Sequence, residues 1–314
     1  MTFQGVYSVL PTPFRSDGGV DVESLRRVVD LFVAAGVNGL TALGVTSEVS
    51  RLDERERAQV LETVLDAAGG RVPVIAGATA EGLGLAIGYG KAAREAGAAA
   101  IMVSPPRMPK INSDAVVRHF AALAEAVEMP IVVQDYPPIS GYTMEPWLLA
   151  RIAREVPVAR TIKLEDPPTP LKTAQILARA EGVEISVLGG LGGVFMLEEL
   201  MSGAAGVMTG FAFPEVLVEI YRRFRSDDVD GAADVFYRNV PLMRFEFQEG
   251  IGMAIRKEVL RKRGAIAWAG TRPPGAVLDK QTAAALDRVL SWTAAGSAST
   301  QAAPAVQSQS QATS

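Results

Sequence analysis

The segment Val158-Ala-Arg-Thr-Ile-Lys-Leu-Glu-Asp166, followed directly by Pro167-Pro168, combines a strand pattern with a reactive side chain. Its first half alternates as strands do, and the two prolines cannot continue a ladder of backbone hydrogen bonds. The strand must therefore end there, which places Lys163 near its carboxyl end. In α/β folds the carboxyl ends of parallel strands are where ligands bind.

Two interpretations of Lys163 follow from this position. A lysine partly surrounded by apolar groups loses hydration of its ammonium form, so the pKa of such a lysine falls. A neutral amine can then attack a ketone and form a Schiff base. The alternative is a solvated lysine at a strand end, or one paired with Glu165 or Asp166. The segment alone favours this alternative, because lysine is mostly a surface residue.

The composition excludes several classes of protein. Of 314 residues, 48% are hydrophobic and only 6% aromatic, which suits buried parallel strands covered by apolar helices. A net charge of −4 without Lys/Arg runs argues against a nucleic-acid partner. The chain has no cysteine, and its one histidine, His119, fits a helix-surface or packing position. No ligand spacing for a metal is recognisable, so neither metal nor cofactor is expected.

The chain is expected to be a soluble, cytoplasmic protein. The start at Met1-Thr-Phe-Gln-Gly5 lacks the basic and apolar regions of a signal peptide. No run approaches the ~20 apolar residues that a membrane span needs, so no membrane partner is expected. The segment 296–314 is rich in Ala, Ser, Gln and Pro and is predicted to be a disordered tail.

Short apolar runs alternate with amphipathic segments through the first two thirds of the chain. The eight runs predicted as strands are 5–14, 39–44, 72–77, 98–104, 130–135, 158–166, 184–189 and 206–210. Eight β-α units with short connections predict a closed (β/α)8 TIM barrel, of class α/β, over residues 1–226. Helical patterns at 230–237, 241–263 and 281–292 predict a C-terminal helical extension over residues 227–295.

The end of the second strand, Gly44-Val-Thr-Ser-Glu48, is rich in groups that bind anions. Gly44 allows close approach of the backbone, and Val45, Thr46 and Ser47 supply N–H groups and two hydroxyls. This combination predicts a cradle for a carboxylate or phosphate. A plain turn with hydroxyls bonded to their own backbone is the alternative. Together with Lys163, the cradle suggests a 2-oxo acid held by its carboxylate while its ketone meets the amine.

The order of several short motifs resembles the dihydrodipicolinate synthase/N-acetylneuraminate lyase family of class I aldolases over residues 5–293. The motifs are Pro11-Thr-Pro-Phe14, Gly44–Glu48, Ile162-Lys163, Gly189-Gly190 and Arg272-Pro273. The resemblance implies that Lys163 is the Schiff-base lysine and that Thr46, with nearby N–H groups, binds the pyruvyl carboxylate. It also implies that Gly190 lies beside the keto acid, and that the protein is a homotetramer built as a dimer of dimers.

The chain departs from the family at positions that carry protons. The family usually has Gly-Thr/Ser-Thr-Gly-Glu where this chain has Val45 and Ser47, so one relay hydroxyl is missing. Gln134 stands where the family has a tyrosine on the fifth strand. Tyr136, two residues on, can point to the same side of the strand. It either replaces the missing phenol or lines the mouth of the barrel.

Other departures concern the substrate. Ile139 and the Pro106-Arg107 segment stand where dihydrodipicolinate synthases have an arginine and a tyrosine, so lysine-pathway synthesis is not expected. Leu191 and Gly192 replace the acidic residues with which sialic-acid lyases hold sugar hydroxyls, which suggests a less polar aldehyde portion. Arg107 either binds a second carboxylate bidentately or lies in solvent.

The sequence therefore predicts a pyruvate-type class I lyase, an aldolase or a dehydratase, that forms a Schiff base on Lys163. Tyr136, or Gln134 with a water molecule, would provide the acid–base help. One alternative is a non-catalytic or weakly active paralogue that binds a small carboxylate. Another is a phosphate-binding barrel aldolase that uses Gly189–Gly193, although such glycines also simply permit a tight turn.

Overall fold

Eight parallel strands form a closed barrel in a computed structural model, which describes residues 2–293. Each strand pairs with the next along the chain, and β8 pairs with β1, so the predicted (β/α)8 TIM barrel is confirmed. The strands β1 to β8 are Gly5–Val9, Gly39–Ala42, Val74–Gly77, Ala100–Val103, Ile131–Asp135, Thr161–Leu164, Ser186–Gly189 and Gly206–Thr209. The tail predicted to be disordered lies outside the described residues.

Helices cover the outside of the barrel. Helices α1 to α9 are Val22–Ala34, Glu54–Ala68, Leu83–Ala96, Ser113–Val127, Pro137–Ser140, Pro146–Glu155, Thr169–Leu177, Met196–Met201 and Pro214–Arg225. Three more form the C-terminal extension: α10 (Val229–Glu246), α11 (Gly252–Lys262) and α12 (Lys280–Trp292). Within residues 2–293, no helix has both the length and the apolar character that crossing a membrane requires.

Two predicted boundaries were wrong. The first strand ends at Val9 instead of Phe14, because Pro11 and Pro13 have no N–H group to donate to a neighbouring strand. A helix start was predicted at Pro241, yet α10 runs through this proline and the break comes after Glu246. Burial of Leu242 and Met243, directly after the proline, explains why the helix continues.

The barrel interior holds the lysine singled out in the sequence. Successive side chains of a strand point to opposite faces, and register partners on neighbouring parallel strands point the same way. Lys163 on β6 pairs in register with Gln134 on β5 and with Leu188 on β7. Leu188 belongs to the apolar cluster inside the barrel, so Lys163 and Gln134 also face inward. Both are buried, with Lys163 only 4% exposed.

A buried charge network ties the extension to the barrel. Lys257 on α11 is fully buried; its Nζ forms an ion pair with Glu48 and donates a hydrogen bond to the Gly270 carbonyl at 3.1 Å. The same Nζ lies 4.3 Å from the centre of the Phe14 ring. The backbone N–H of Arg272 donates to the other oxygen of Glu48 at 3.0 Å. The extension therefore fixes the loop after β2, which carries Thr46.

Replacing Lys257 by Met should lower the free energy of unfolding by up to about 3–5 kcal/mol, because Glu48 would lose its fully buried cation and keep only the partly exposed Arg51, 2.6 Å from its Oε2. Lys262→Met is the matched control: Lys262 lies on the same helix, and its side chain is 34% exposed beside Asp287. Loss of an exposed pair costs roughly 0.2–1 kcal/mol. Urea unfolding measures both values, and equal losses would contradict a structural role for the Glu48–Lys257 pair.

Candidate active site

Lys163 lies at the centre of the candidate site. Its side chain is 5% exposed, and its Nζ is 3.0 Å from Oε2 of Glu165, two residues further along the chain. The alternative that paired Lys163 with Glu165 therefore named the right partner, but the pair is buried and not solvated. Asp166 points elsewhere and contacts Nζ of Lys172 at 2.6 Å.

Gln134 extends this pair into a row of polar groups. Its Nε2 donates to Oε2 of Glu165 at 2.7 Å, and its Oε1 accepts a hydrogen bond from Oγ of Ser104 at 3.2 Å. The row runs from Ser104 through Gln134 and Glu165 to Lys163, across three neighbouring strand ends. Gln134, which the sequence predicts to stand at the family's tyrosine position, thus supplies an amide donor that fixes a carboxylate.

Gly190 makes room for this carboxylate. A Cβ atom at position 190 would lie 2.2 Å from Cγ of Glu165, so any larger residue would displace Glu165. The Glu165 side chain therefore occupies the space that a side chain at position 190 would need. Gly189 makes room for Glu199 in the same manner: a Cβ atom at position 189 would lie 1.7 Å from Oε2 of Glu199. Two carboxylates at this turn disfavour the phosphate-binding alternative.

The loop after β2 presents Thr46 through a short 3-10 turn, Val45–Ser47. Ser47 is buried, and its Oγ donates to the Leu10 carbonyl at 2.6 Å and accepts from the Gly44 N–H at 3.1 Å. The Ser47 hydroxyl thus shapes the turn, as the plain-turn alternative stated. Thr46 is half-buried and faces a cleft instead.

This cleft, of about 300 Å³, opens at the carboxyl ends of the strands. Val45, Thr46 and Tyr136 line it on the barrel side, and residues 246–253 of the extension line it on the other. No pattern in the sequence indicated that the extension forms one wall of this cleft. Glu165, whose side chain is 12% exposed, contacts Lys163, and its charge acts on Tyr136 in the cleft.

Tyr136 keeps its phenolic proton at neutral pH. Burial raises the pKa of Tyr136 above its usual value, and the negative charges of Glu165 and Glu249 raise it further. The phenol can therefore donate a hydrogen bond to a group in the cleft, but it is poorly suited to accept a proton as a base.

The structure does not bring Arg107 to the cleft. Its side chain is 62% exposed, and its guanidinium donates to the carbonyls of Ile139 at 2.9 Å and Pro138 at 3.0 Å. Of the two alternatives for Arg107, the structure supports a position at the surface, where it holds the loop after β5. His119 is buried on α4 against the Phe120 ring, in a packing position.

Two residues that line the cleft form a buried pair that the sequence did not reveal. Glu246 and Arg256 come from α10 and α11, with 3.4 Å between Oε2 and Nε. Burial raises the pKa of Glu246 to about 7, and the nearby guanidinium opposes this rise. Within the described residues, no group of three or more His, Asp or Glu side chains is arranged to hold a metal ion.

A buried lysine and a polar loop at the carboxyl ends of the strands define a barrel enzyme with its site in the usual place for this fold. The sequence model of the Dihydrodipicolinate synthetase family matches residues 2–293, and the chain belongs to this family. At the level of the family, it is a class I pyruvate-dependent lyase.

Three similar proteins illustrate the range of the family. L-2-keto-3-deoxyarabonate dehydratase of Azospirillum brasilense is 30% identical over 90% of this chain and 92% of its own length. The structure of dihydrodipicolinate synthase from Rhodopseudomonas palustris is 32% identical, with a TM-score of 0.87 over 92% of this chain and 97% of that one. A prophage protein of the family from E. coli K12, solved in complex with pyruvate, is 25% identical, with a TM-score of 0.85 over 92% and 98%.

Gly190→Ala should lower the free energy of unfolding by about 1–3 kcal/mol, because the added methyl group would overlap Glu165 in a packed site. Gly88→Ala is the control: it lies inside α3, and a Cβ there meets no atom within 4 Å. That change should raise stability by roughly 0.5–1 kcal/mol, because Ala favours helix. Urea unfolding measures both, and a Gly190→Ala variant as stable as the parent would contradict the packing of Glu165 against this glycine.

Proposed function

We propose that the protein is a class I lyase in which Lys163 forms a Schiff base with the ketone of a 2-oxo acid. The observation that carries this proposal is the buried Nζ of Lys163 inside the barrel, within hydrogen-bond distance of a carboxylate. The pyruvate complex of one structural neighbour and the 2-keto acid in the name of a relative support the substrate class.

The amine of Lys163 would attack C2 of the oxo acid and expel its oxygen as water. The resulting iminium withdraws electrons from the neighbouring carbon, which makes loss of a proton or cleavage of a bond there easier. Retro-aldol cleavage, aldol addition and loss of water from C3 and C4 all pass through the same enamine. The proposal therefore covers both aldolase and dehydratase chemistry.

Thr46 would hold the carboxylate of the substrate. Its half-buried side chain lines the cleft, and the N–H groups of the Val45–Ser47 turn lie beside it. Backbone N–H groups in such turns form concave sites for anions. A carboxylate bound there would be oriented with its ketone toward the barrel interior, where Lys163 lies.

We further propose that the substrate has no second carboxylate at the usual position of the synthases. Ile139, not arginine, occupies that position, and the Arg107 guanidinium is engaged with backbone carbonyls. Where the family has a hydroxyl residue directly before Thr46, this chain has Val45, whose side chain lines the cleft and is 39% exposed. A dehydratase or aldolase acting on a less polar 2-oxo acid agrees with these three features.

One observation favours a second candidate, a non-catalytic binder of small carboxylates. Lys163 forms an ion pair with Glu165, and Gln134 stands where the family has its phenol. An amine held permanently as ammonium would not react. The binder and the lyase differ in whether a covalent bond forms at Lys163.

Borohydride reduction in the presence of pyruvate should attach a reduced pyruvyl group to Lys163, because hydride traps the iminium irreversibly. Mass spectrometry of the peptide that contains Lys163 measures the adduct. Lys163→Arg keeps the positive charge beside Glu165 and should give no adduct. If pyruvate and other 2-oxo acids raise the melting temperature without forming any adduct, the lyase hypothesis is wrong and a non-catalytic carboxylate-binding protein is favoured.

Thr46→Val should raise the pyruvate concentration needed for half-maximal trapping by roughly ten- to hundredfold. A hydrogen bond to a charged group contributes about 1.5–3 kcal/mol, and valine keeps the shape of threonine without its hydroxyl. Thr46→Ser keeps the hydroxyl and should stay close to the parent. An unchanged concentration dependence for Thr46→Val would remove Thr46 from the carboxylate site.

A further inference from the structure

We propose that Glu165 is the general acid–base of the reaction at Lys163, in place of the phenol that the family carries on β5. This inference rests on the proposed Schiff-base function and adds a catalytic residue to it. Glu165 is the carboxylate that touches the reacting nitrogen: 3.0 Å separate its Oε2 from Nζ. That distance lies in the range of direct proton transfer through a hydrogen bond.

The site is built to hold Glu165 in this place. Gly190 leaves free the space that Cγ of Glu165 occupies, and Gln134 donates a hydrogen bond of 2.7 Å to Oε2 of Glu165. Ser104 in turn donates to Oε1 of Gln134, so the amide nitrogen of Gln134 must face the carboxylate. An amide neither takes up nor releases a proton near neutral pH. Gln134 is therefore a positioning residue, and the proton carrier beside it is Glu165.

Tyr136 is the rival for this role. It lines the cleft, and it lies near enough to Glu165 for the charge of that carboxylate to raise the pKa of the phenol. The raised pKa of Tyr136 keeps its phenol protonated, which suits a hydrogen-bond donor. The step at C3 requires a base, and a carboxylate supplies one without first losing a proton. The two residues thus have different roles: Tyr136 donates a hydrogen bond, and Glu165 accepts and returns protons.

The first steps balance with Glu165 as the only carrier. A proton moves from the ammonium of Lys163 to the carboxylate of Glu165. The ion pair is thereby replaced by a neutral amine and a neutral carboxylic acid. The nitrogen lone pair forms the bond to C2, and the C2–O π electrons move to oxygen. Glu165 gives its proton to that oxygen and takes one from the nitrogen, which leaves a neutral carbinolamine and a neutral acid. Glu165 then returns its proton to that hydroxyl, which leaves as water while the nitrogen lone pair closes the iminium.

The next step uses the carboxylate that this sequence regenerates. Glu165 takes a proton from C3, the C3–H electron pair forms the C2–C3 double bond, and the iminium electrons return to nitrogen. The product is an enamine with Glu165 protonated again. Pyruvate passes through the same enamine, so its methyl hydrogens should exchange with solvent even when no further product forms.

The test measures exchange of the pyruvate methyl group in D₂O by proton NMR, with borohydride trapping in parallel, on the full chain. In Glu165→Gln the exchange rate should fall by about 10²–10⁴, and the adduct on Lys163 should still form but more slowly, because formation of the imine uses the same proton carrier. Tyr136→Phe, which removes the rival phenol, should lower the exchange rate less than Glu165→Gln. Full exchange in Glu165→Gln, or a larger loss in Tyr136→Phe, would overturn the assignment.

A second variant covers the case in which Glu165→Gln does not fold. Glu165→Ala leaves a space that formate can fill, so added formate should accelerate exchange in proportion to its concentration. No acceleration in a folded Glu165→Ala, beside a parent that exchanges, would also overturn the role of Glu165. Failure of the parent itself to trap pyruvate is a different result: it would overturn the Schiff-base function, and the inference with it.

Discussion

The buried ion pair between Lys163 and Glu165 constrains the whole mouth of the barrel. Moving each charge out of water costs several kcal/mol, so each charged group stabilises the other in this position. A short contact between the two and a hydrogen bond from Gln134 offset this cost. Gly190 is equally required, because the carboxylate occupies the space of a missing side chain. Four positions on three adjacent strands therefore depend on one another.

This dependence changes the meaning of the departures from the family. Taken singly, Gln134 in place of a tyrosine is a loss, because an amide cannot relay a proton. Together with Glu165, the same amide becomes a support for a carboxylate that can. A site that lacks one acid–base group but holds another keeps its chemistry, whereas a site that lacks both does not. The row from Ser104 to Lys163 fits the first description.

Local patterns in the sequence were enough for the barrel and for part of the site. The eight strands are buried on both faces and largely apolar, so they stand out as short runs, and Lys163 and Thr46 lie at or just after strand ends. Contacts between distant segments left no such pattern. Lys257 reaches Glu48 across 209 residues, and nothing around Lys257 distinguishes it from a surface lysine on an amphipathic helix. The sequence left Glu165 and Asp166 both open as partners of Lys163, and the packing of Glu165 depends on a glycine that follows another strand.

The extension has a part in the site because it forms the outer wall of the cleft. The barrel side at this mouth offers few polar groups to the far end of a substrate, since Ile139 and Leu191 replace the family residues that bind carboxylates and sugar hydroxyls. The opposite wall, residues 246–253, carries Glu246 and Glu249. The barrel would thus determine the reaction, and the extension would select the substrate. The Glu48–Lys257 pair fixes the extension relative to the barrel, because it joins α11 to the loop that carries Thr46.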